Sequence, residues 1–361
     1  MSRGRPTICY DDDAFSASAR GGIAKLFAQL VTSVERFECE VDLPFRYSIN
    51  EHYFELGGNR LVKLPRFRGN ARACRVLNSL MLKWPSAYNI WHATYYNTGK
   101  LHRYHRSGRA LVVTIHDMIP ELLSEHFSTN PHLGKQELAS AADLIIAVSE
   151  NTKKDVVRLY GMDPSKIVVI HPGIDIESDR VEEISVPDDF ALFVGSRRGY
   201  KNFARLIEAF RKAQEQGAVF KLVCVGGGPF STAEMDLLRS LPNGDVLQIS
   251  ATDAQLRYLF NKALFFVNPS LYEGFGFTLV EAMAQNCPLV VSRASSFPEV
   301  AGEAAIYFDP ANVESMAEAL EVASHDVDVR KRNAARGSMR VKEFSSSLMV
   351  ERTVDSYRRL A

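Results

Sequence analysis

The chain has 361 residues, with 43 Lys plus Arg against 43 Asp plus Glu, so its formal net charge is zero. A hydrophobic share of 46% with 24% charged residues describes an ordinary globular protein of about two domains and excludes disorder, coiled coil and collagen. The neutral sum argues against a dedicated nucleic-acid binder, yet it conceals a segment from Arg60 to Ala110 with eleven Lys or Arg and no carboxylate.

Five cysteines (Cys9, Cys39, Cys74, Cys224, Cys287) form no Cys-x-x-Cys pair, which fits a reducing cytoplasm better than a disulfide framework or zinc site. The first residues lack the apolar run of a signal peptide, and no stretch approaches the roughly 20 apolar residues that span a bilayer. The expectation is a cytoplasmic protein, peripheral on the inner face of the cytoplasmic membrane at most.

In chain order, strand-like runs fall at 7–10, 90–93, 111–115, 144–148 and 167–170, then at 191–195, 221–225, 246–249, 264–268, 288–291 and 305–308. Amphipathic helical stretches lie between them, as at 22–36, 202–216, 254–262 and 278–285. Such alternation predicts an α/β chain of two Rossmann-like domains, each a parallel sheet covered by helices. The acidic segment 173–189, marked by Pro172 and Pro187, is read as holding the linker, 176–188, between domains 1–175 and 189–344, with a final helix at 345–361 crossing back to the first. Ligands of such sheets bind at the carboxyl ends of the strands.

Gly21 and Gly22 open a helix after the acidic run Asp11 to Asp13 and allow close backbone approach to a ligand. The stretch 70–84 places Ala73, Val76, Leu77, Leu80, Met81 and Trp84 on one stripe, with Arg72, Arg75, Ser79 and Lys83 opposite. It is either a core-facing helix with a solvated basic back or a surface helix suited to anionic lipid. His92 and Tyr95 close one strand, while His116 and Asp117 close the next, where the carboxylate could orient the ring. His102 and His105 lack a third partner, so no metal site is assigned.

Gly195, Arg197, Arg198 and Lys201 sit between a strand and a helix, where cations can neutralise a diphosphate. The triplet Gly226 to Gly228 lacks the third glycine of a dinucleotide fingerprint, because Ser231 stands there. In NPSLYEGFGFTLVE, Gly274, Phe275, Gly276, Phe277 and Thr278 form a glycine turn at a helix start, suited to phosphate. Glu273 and Glu281 flank it as acceptors for hydroxyls, or else as a loop and a solvated helix residue.

Glu273 and Glu281 closely resemble the Glu-x7-Glu signature of the retaining glycosyltransferases of family 4. The resemblance continues, in the family's order, through RGGI (20–23), TIHDMIPE (114–121), VSENT (148–152), HPGID (171–175) and FVGSRRGYK (193–201). It implies the GT-B architecture, two facing Rossmann-like domains with a deep cleft, the nucleotide-sugar donor mainly on the second and the acceptor mainly on the first. By resemblance, Glu273 contacts the transferred sugar and Glu281 the ribose hydroxyls. Gly21 and Gly22 lie across from the donor, Gly195 and Gly226 line its side, and His116 is a further contact to the transferred sugar. Arg197 and Lys201 take the diphosphate, and Arg198 is the solvated neighbour, although Ser196 departs from the commonest spacing. His92, Tyr95 and Asp117 fall on the acceptor side.

The same resemblance implies a metal-independent enzyme without cofactor, and same-face attack assisted by the leaving phosphate. The opening YDDDAFSASARGGI is similar to mannosyltransferases of polysaccharide and lipopolysaccharide assembly, which points to GDP-mannose, with UDP-sugars open, and to a glycan or lipid-linked acceptor. The basic segment 60–110 would face an anionic membrane surface or acceptor phosphates. A GT-B epimerase, or a nucleotide-sugar-binding protein without transfer, is the alternative.

Overall fold

The computed structural model describes residues 5–81, 88–101, 109–175, 180–242 and 244–361. Leu82, Lys83, Trp84, His102, His105 and part of the predicted linker, 176–179, lie outside the described residues. The chain divides into two compact units. One comprises Met1–Leu122, Thr129–Gly173 and Ser345–Ala361; the other comprises Leu123–Ser128 and Ile174–Phe344.

The first unit contains β1 (Thr7–Tyr10), β2 (Glu40–Asp42), β3 (Tyr47–Ser48), β4 (Val62–Lys63), β5 (Ile90–Ala93), β6 (Ala110–Ile115), β7 (Leu144–Ala147) and β8 (Ile167–Val169). Its six-stranded sheet runs β2-β1-β5-β6-β7-β8, all parallel, with β3 and β4 a separate parallel pair. The second unit contains β9 (Phe190–Val194), β10 (Lys221–Val225), β11 (Val246–Ile249), β12 (Phe265–Asn268), β13 (Leu289–Ser292) and β14 (Ala305–Phe308). Its sheet runs β11-β10-β9-β12-β13-β14, again all parallel.

Both are doubly wound sheets. Strand order reverses between β1 and β5 in the first and between β9 and β12 in the second, and a crevice forms outside the carboxyl ends at such a switch point. Strands β5, β7 and β12 are buried on both faces because helices cover both sides, so they read as apolar runs without alternation. In the second unit, the helix Phe203–Glu215 turns Leu206, Ile207 and Phe210 onto the sheet, where Met316 and Leu320 of the helix Val313–His325 join the same core.

The C-terminal helix Ser346–Leu360 packs in the first unit, with Met349, Val350, Val354 and Tyr357 in one core with Ile8, Tyr10 and Phe27. Its start is capped by the Ser345 hydroxyl, which accepts the Leu348 N–H at 3.2 Å. The chain passes between units at Gly173 and Ser345, and just inside the second unit the Ile174 N–H donates to the Phe344 carbonyl at 2.9 Å.

The helix Asn70–Met81 turns a different face inward from the apolar stripe of the sequence. Asn78 is fully buried, its amide oxygen accepting the Tyr47 N–H at 2.9 Å and its amide N–H donating to the Tyr47 carbonyl at 2.9 Å and to Ser16 at 3.2 Å. With Cys74 and Asn78 directed inward, Val76 and Leu80 are left 51% and 78% exposed, so a wholly core-facing stripe is ruled out.

Candidate active site

In the second unit the loops after β9 and β12 bring Lys201 and Glu273 together at the switch point. Lys201 ends a short 3-10 turn, Gly199–Lys201, and its ammonium lies 2.5 Å from Glu273 Oε1. Ser270 also donates to that oxygen, at 2.7 Å. The loop 270–275 is tied by serines at and just after the end of β13. Ser292 donates to the Ser270 carbonyl at 2.6 Å, and Ser295 Oγ accepts the Glu273 N–H at 2.9 Å. Ser296 Oγ lies 3.0 Å from both the Glu273 and Phe275 carbonyls.

Gly276, at φ +97°, begins the helix Phe277–Ala284; a Cβ there would meet the Phe297 ring at 2.8 Å. Phe277, Thr278 and, one turn on, Glu281 are half-buried. The Phe275 ring turns inward against Phe277 and Phe344, at centroid distances of 5.6 and 5.5 Å, so what it offers a ligand is backbone rather than side chain. The segment Leu123–Ser128 joins this unit, and Phe127 stacks on Tyr200 beside Lys201 at 6.4 Å. Nothing local in the sequence announces that contact.

Arg197, expected to take the diphosphate, is held by the protein in this structure. Its side chain is 1% exposed and its guanidinium is committed to protein acceptors. Nε donates to Glu234 at 2.7 Å, NH1 to the Gly226 carbonyl at 2.7 Å, and NH2 to the Gly228 and Pro229 carbonyls at 2.8 and 3.2 Å. The Phe230 ring lies 4.7 Å from it. A Cβ on Gly227 would fall 2.7 Å from NH1, so the glycine loop and the guanidinium are fitted to each other. Burial works against ionisation of Glu234, but the hydrogen bonds from Arg197 and Ser231 prevail and hold its carboxyl below the usual range. Arg198 is exposed.

In the first unit, His116 follows β6 with its Nε2 buried and without a hydrogen-bond partner among the described residues. Burial, with Lys135 and His132 nearby, depresses its pKa to about 3, so the ring is neutral. The Asp117 carboxylate does not orient that ring. It accepts the Ile119 N–H at 3.0 Å and faces the fully buried ammonium of Lys135 at 3.8 Å, which itself donates to the Asp117 carbonyl and to Glu121 at 2.8 and 2.9 Å. Tyr95 hydrogen-bonds to His132 at 2.7 Å.

His92, expected on the acceptor side, is corrected: it is fully buried, with Nδ1 2.5 Å from the Tyr357 hydroxyl and Nε2 2.8 Å from Thr114. Burial, and His116 after it, hold its pKa at about 3. It ties the C-terminal helix to the sheet.

Gly21 precedes the helix Gly22–Ser33, and Arg20 beside it enters a charged pocket that sequence reasoning missed. Glu51, 6% exposed, pairs with Arg20 at 2.7 Å and also with Arg66. Arg66's hydrogen bonds, against partial burial and aided by Arg20, lower the Glu51 pKa to about 2. With Glu55, Lys63, Leu64 and Pro65 they line a cavity of about 550 Å³.

Solved structures of the same fold include a sucrose-phosphate synthase from Thermosynechococcus elongatus (TM-score 0.74, 18% identity, 99% of each chain). Another is the Anabaena protein HepE in complex with UDP and glucose (TM-score 0.71, 20% identity, 99% of this chain and 100% of that one). Two doubly wound parallel sheets, matched over 99% of the chain, are those of the GT-B fold.

The family profile described as Glycosyltransferase Family 4 matches residues 20–178, and that described as Glycosyl transferases group 1 matches residues 175–338. Between them the two profiles span residues 20–338, so the chain carries both domains of a family 4-like GT-B glycosyltransferase. Curated relatives include the O-antigen chain mannosyltransferase B of Escherichia coli, 28% identical over 71% of this chain and 72% of that protein. The O-antigen chain mannosyltransferase RfbU of Salmonella typhimurium is 26% identical over 78% of this chain and 81% of its own length. An alpha-maltose-1-phosphate synthase of Mycobacterium tuberculosis is 28% identical over 63% and 65%.

Proposed function

We propose that the protein is a retaining hexosyltransferase, independent of metal and cofactor, that moves mannose from GDP-mannose to a glycan or lipid-linked oligosaccharide in surface polysaccharide assembly. The observation that carries this reading is the Lys201–Glu273 pair at the β9/β12 switch point, beside the start of the helix Phe277–Ala284. As the glycosidic bond breaks, negative charge grows on the diphosphate. Lys201, the exposed Arg198 and the positive helix end supply the countercharge.

Glu273, aligned by Lys201 and Ser270, accepts hexose hydroxyls, and Glu281 accepts those of the ribose. Held as an ion-pair partner, Glu273 is poorly placed to act as a covalent nucleophile, which favours same-face attack with the leaving phosphate as base. The neutral His116 serves as a hydroxyl contact rather than a proton-transfer group. Mannose rests on the O-antigen mannosyltransferase relatives.

The test is calorimetric titration and slow-hydrolysis assay with GDP-mannose, UDP-glucose and UDP-N-acetylglucosamine, in buffer with a chelator. GDP-mannose is expected to bind most tightly and to release the α-anomer first. Glu281→Ala is expected to weaken binding at least tenfold, about 1.4 kcal/mol. Absence of binding by every nucleotide sugar, or an unaltered Glu281→Ala, refutes the donor-site reading; a β-anomer refutes retention.

We further infer that the helix Asn70–Met81 meets an anionic membrane. Phe67, Val76 and Leu80 are exposed apolar residues beside exposed Arg68, Arg72 and Arg75. The basic segment is narrower in effect than its composition, since Arg60, Arg66 and Lys100 pair with Glu35, Glu51 and Asp12. Sedimentation with phosphatidylglycerol vesicles is expected at low salt and to fall when Leu80→Glu is introduced. Failure to sediment at any salt concentration refutes this face.

A further inference from the structure

After β13 the chain runs through Arg293, Ala294, Ser295 and Ser296 into the helix Phe297–Ala301. Ser295 has φ +49°, a left-handed backbone that strains a residue other than glycine. The strained residue coincides with a contact to the site, since its Oγ accepts the Glu273 N–H at 2.9 Å. Ser292 and Ser296 anchor the carbonyls at positions 270, 273 and 275 from buried positions, whereas Ser295, half-buried, takes the N–H of Glu273 itself. A glycine would adopt this φ without strain but would offer no oxygen. The presence of serine is therefore accounted for by its side chain.

We propose that Ser295 is a positioning residue for glycosyl transfer: its hydroxyl fixes the peptide before Glu273 and so aims the Glu273 carboxylate at Lys201 and the hexose. The proposal rests on the donor-site reading above. Strain held at such a position persists because the surrounding bonds over-determine it, as expected where geometry serves a reaction.

The test compares Ser295→Gly, Ser295→Ala, Glu273→Gln and the double variant Ser295→Gly/Glu273→Gln by thermal melting and by kcat and KM for nucleotide-sugar hydrolysis. Ser295→Gly relieves strain while removing the oxygen, so kcat is expected to fall about tenfold (roughly 1.4 kcal/mol) with KM little changed and Tm unchanged or raised. Ser295→Ala keeps the strain and is expected to lower both Tm and kcat. In the Glu273→Gln background, Ser295→Gly is expected to lower kcat less than twofold, as for two residues acting through one contact.

A wild-type kcat in Ser295→Gly, a joint fall of Tm and kcat in that variant, or full additivity with Glu273→Gln overturns the positioning role and leaves the donor site standing. A wild-type protein that hydrolyses no nucleotide sugar overturns the donor-site reading and the positioning role with it.

Discussion

Lys201→Ala is expected to lower nucleotide-sugar turnover by about 10²–10³-fold, the loss typical when one preorganised donor to a developing anion is removed. Two effects combine. The diphosphate loses a cation where charge accumulates, and Glu273, 14% exposed at its side chain, keeps among the described residues the Ser270 hydroxyl at 2.7 Å as a partner for the same oxygen. Because the countercharge is needed more in the transition state than in the bound donor, kcat is expected to carry most of the loss and KM little. Lys201→Arg is expected to recover part of the rate, since charge returns with a planar, differently spaced group. Steady-state hydrolysis of GDP-mannose measures this, and turnover within tenfold of wild type in Lys201→Ala would remove Lys201 from the mechanism.

The second large effect concerns stability. Arg197→Met removes the partner of Glu234 and the donors to three loop carbonyls in a site where the side chain is 1% exposed. Breaking a buried pair from one side costs about 3–5 kcal/mol, so the second unit is expected to melt well below the wild type and donor affinity to fall with it. Arg197→Lys is not expected to rescue, because an ammonium cannot reach the fork of acceptors that the guanidinium serves. Arg198→Ala, by contrast, is expected to leave Tm unchanged and weaken donor binding. Unchanged melting with lost activity in Arg197→Met would instead return Arg197 to the diphosphate role that its sequence position suggests.

Those two arginines show where sequence reading stops. Both follow Gly195 in a strand-to-helix turn, and composition treats them alike; which one is buried depends on where the chain 226–230 folds back, a contact about 30 residues away. Lys201 and Glu273 were each legible as chemistry, from a cation after a strand and a carboxylate before a glycine turn. Their pairing follows from the sheet order that makes β9 and β12 neighbours.

His92 was misplaced for a related reason. A histidine within an all-buried parallel strand has no alternation to mark its direction, and its partner Tyr357 lies 265 residues on. The helix Asn70–Met81 misled by periodicity, because Asn78 outcompetes Val76 and Leu80 for the inward position by satisfying the Tyr47 backbone. The principal strands, by contrast, were readable to within a residue or so, since buried parallel strands are simple apolar runs. The short β2, β3 and β4 were not, as they have 3, 2 and 2 residues.

The return of the C-terminal helix to the first unit also governs the order in which the molecule can be completed. The Tyr10–Tyr357 hydrogen bond spans 347 residues, so the core around β1 closes only once the helix Ser346–Leu360 has been made. The second unit, almost continuous from Ile174 to Phe344, has no such wait. During synthesis the core of the first unit therefore closes after that of the second, with the face covered by Met349, Val350 and Tyr357 open until their helix is made.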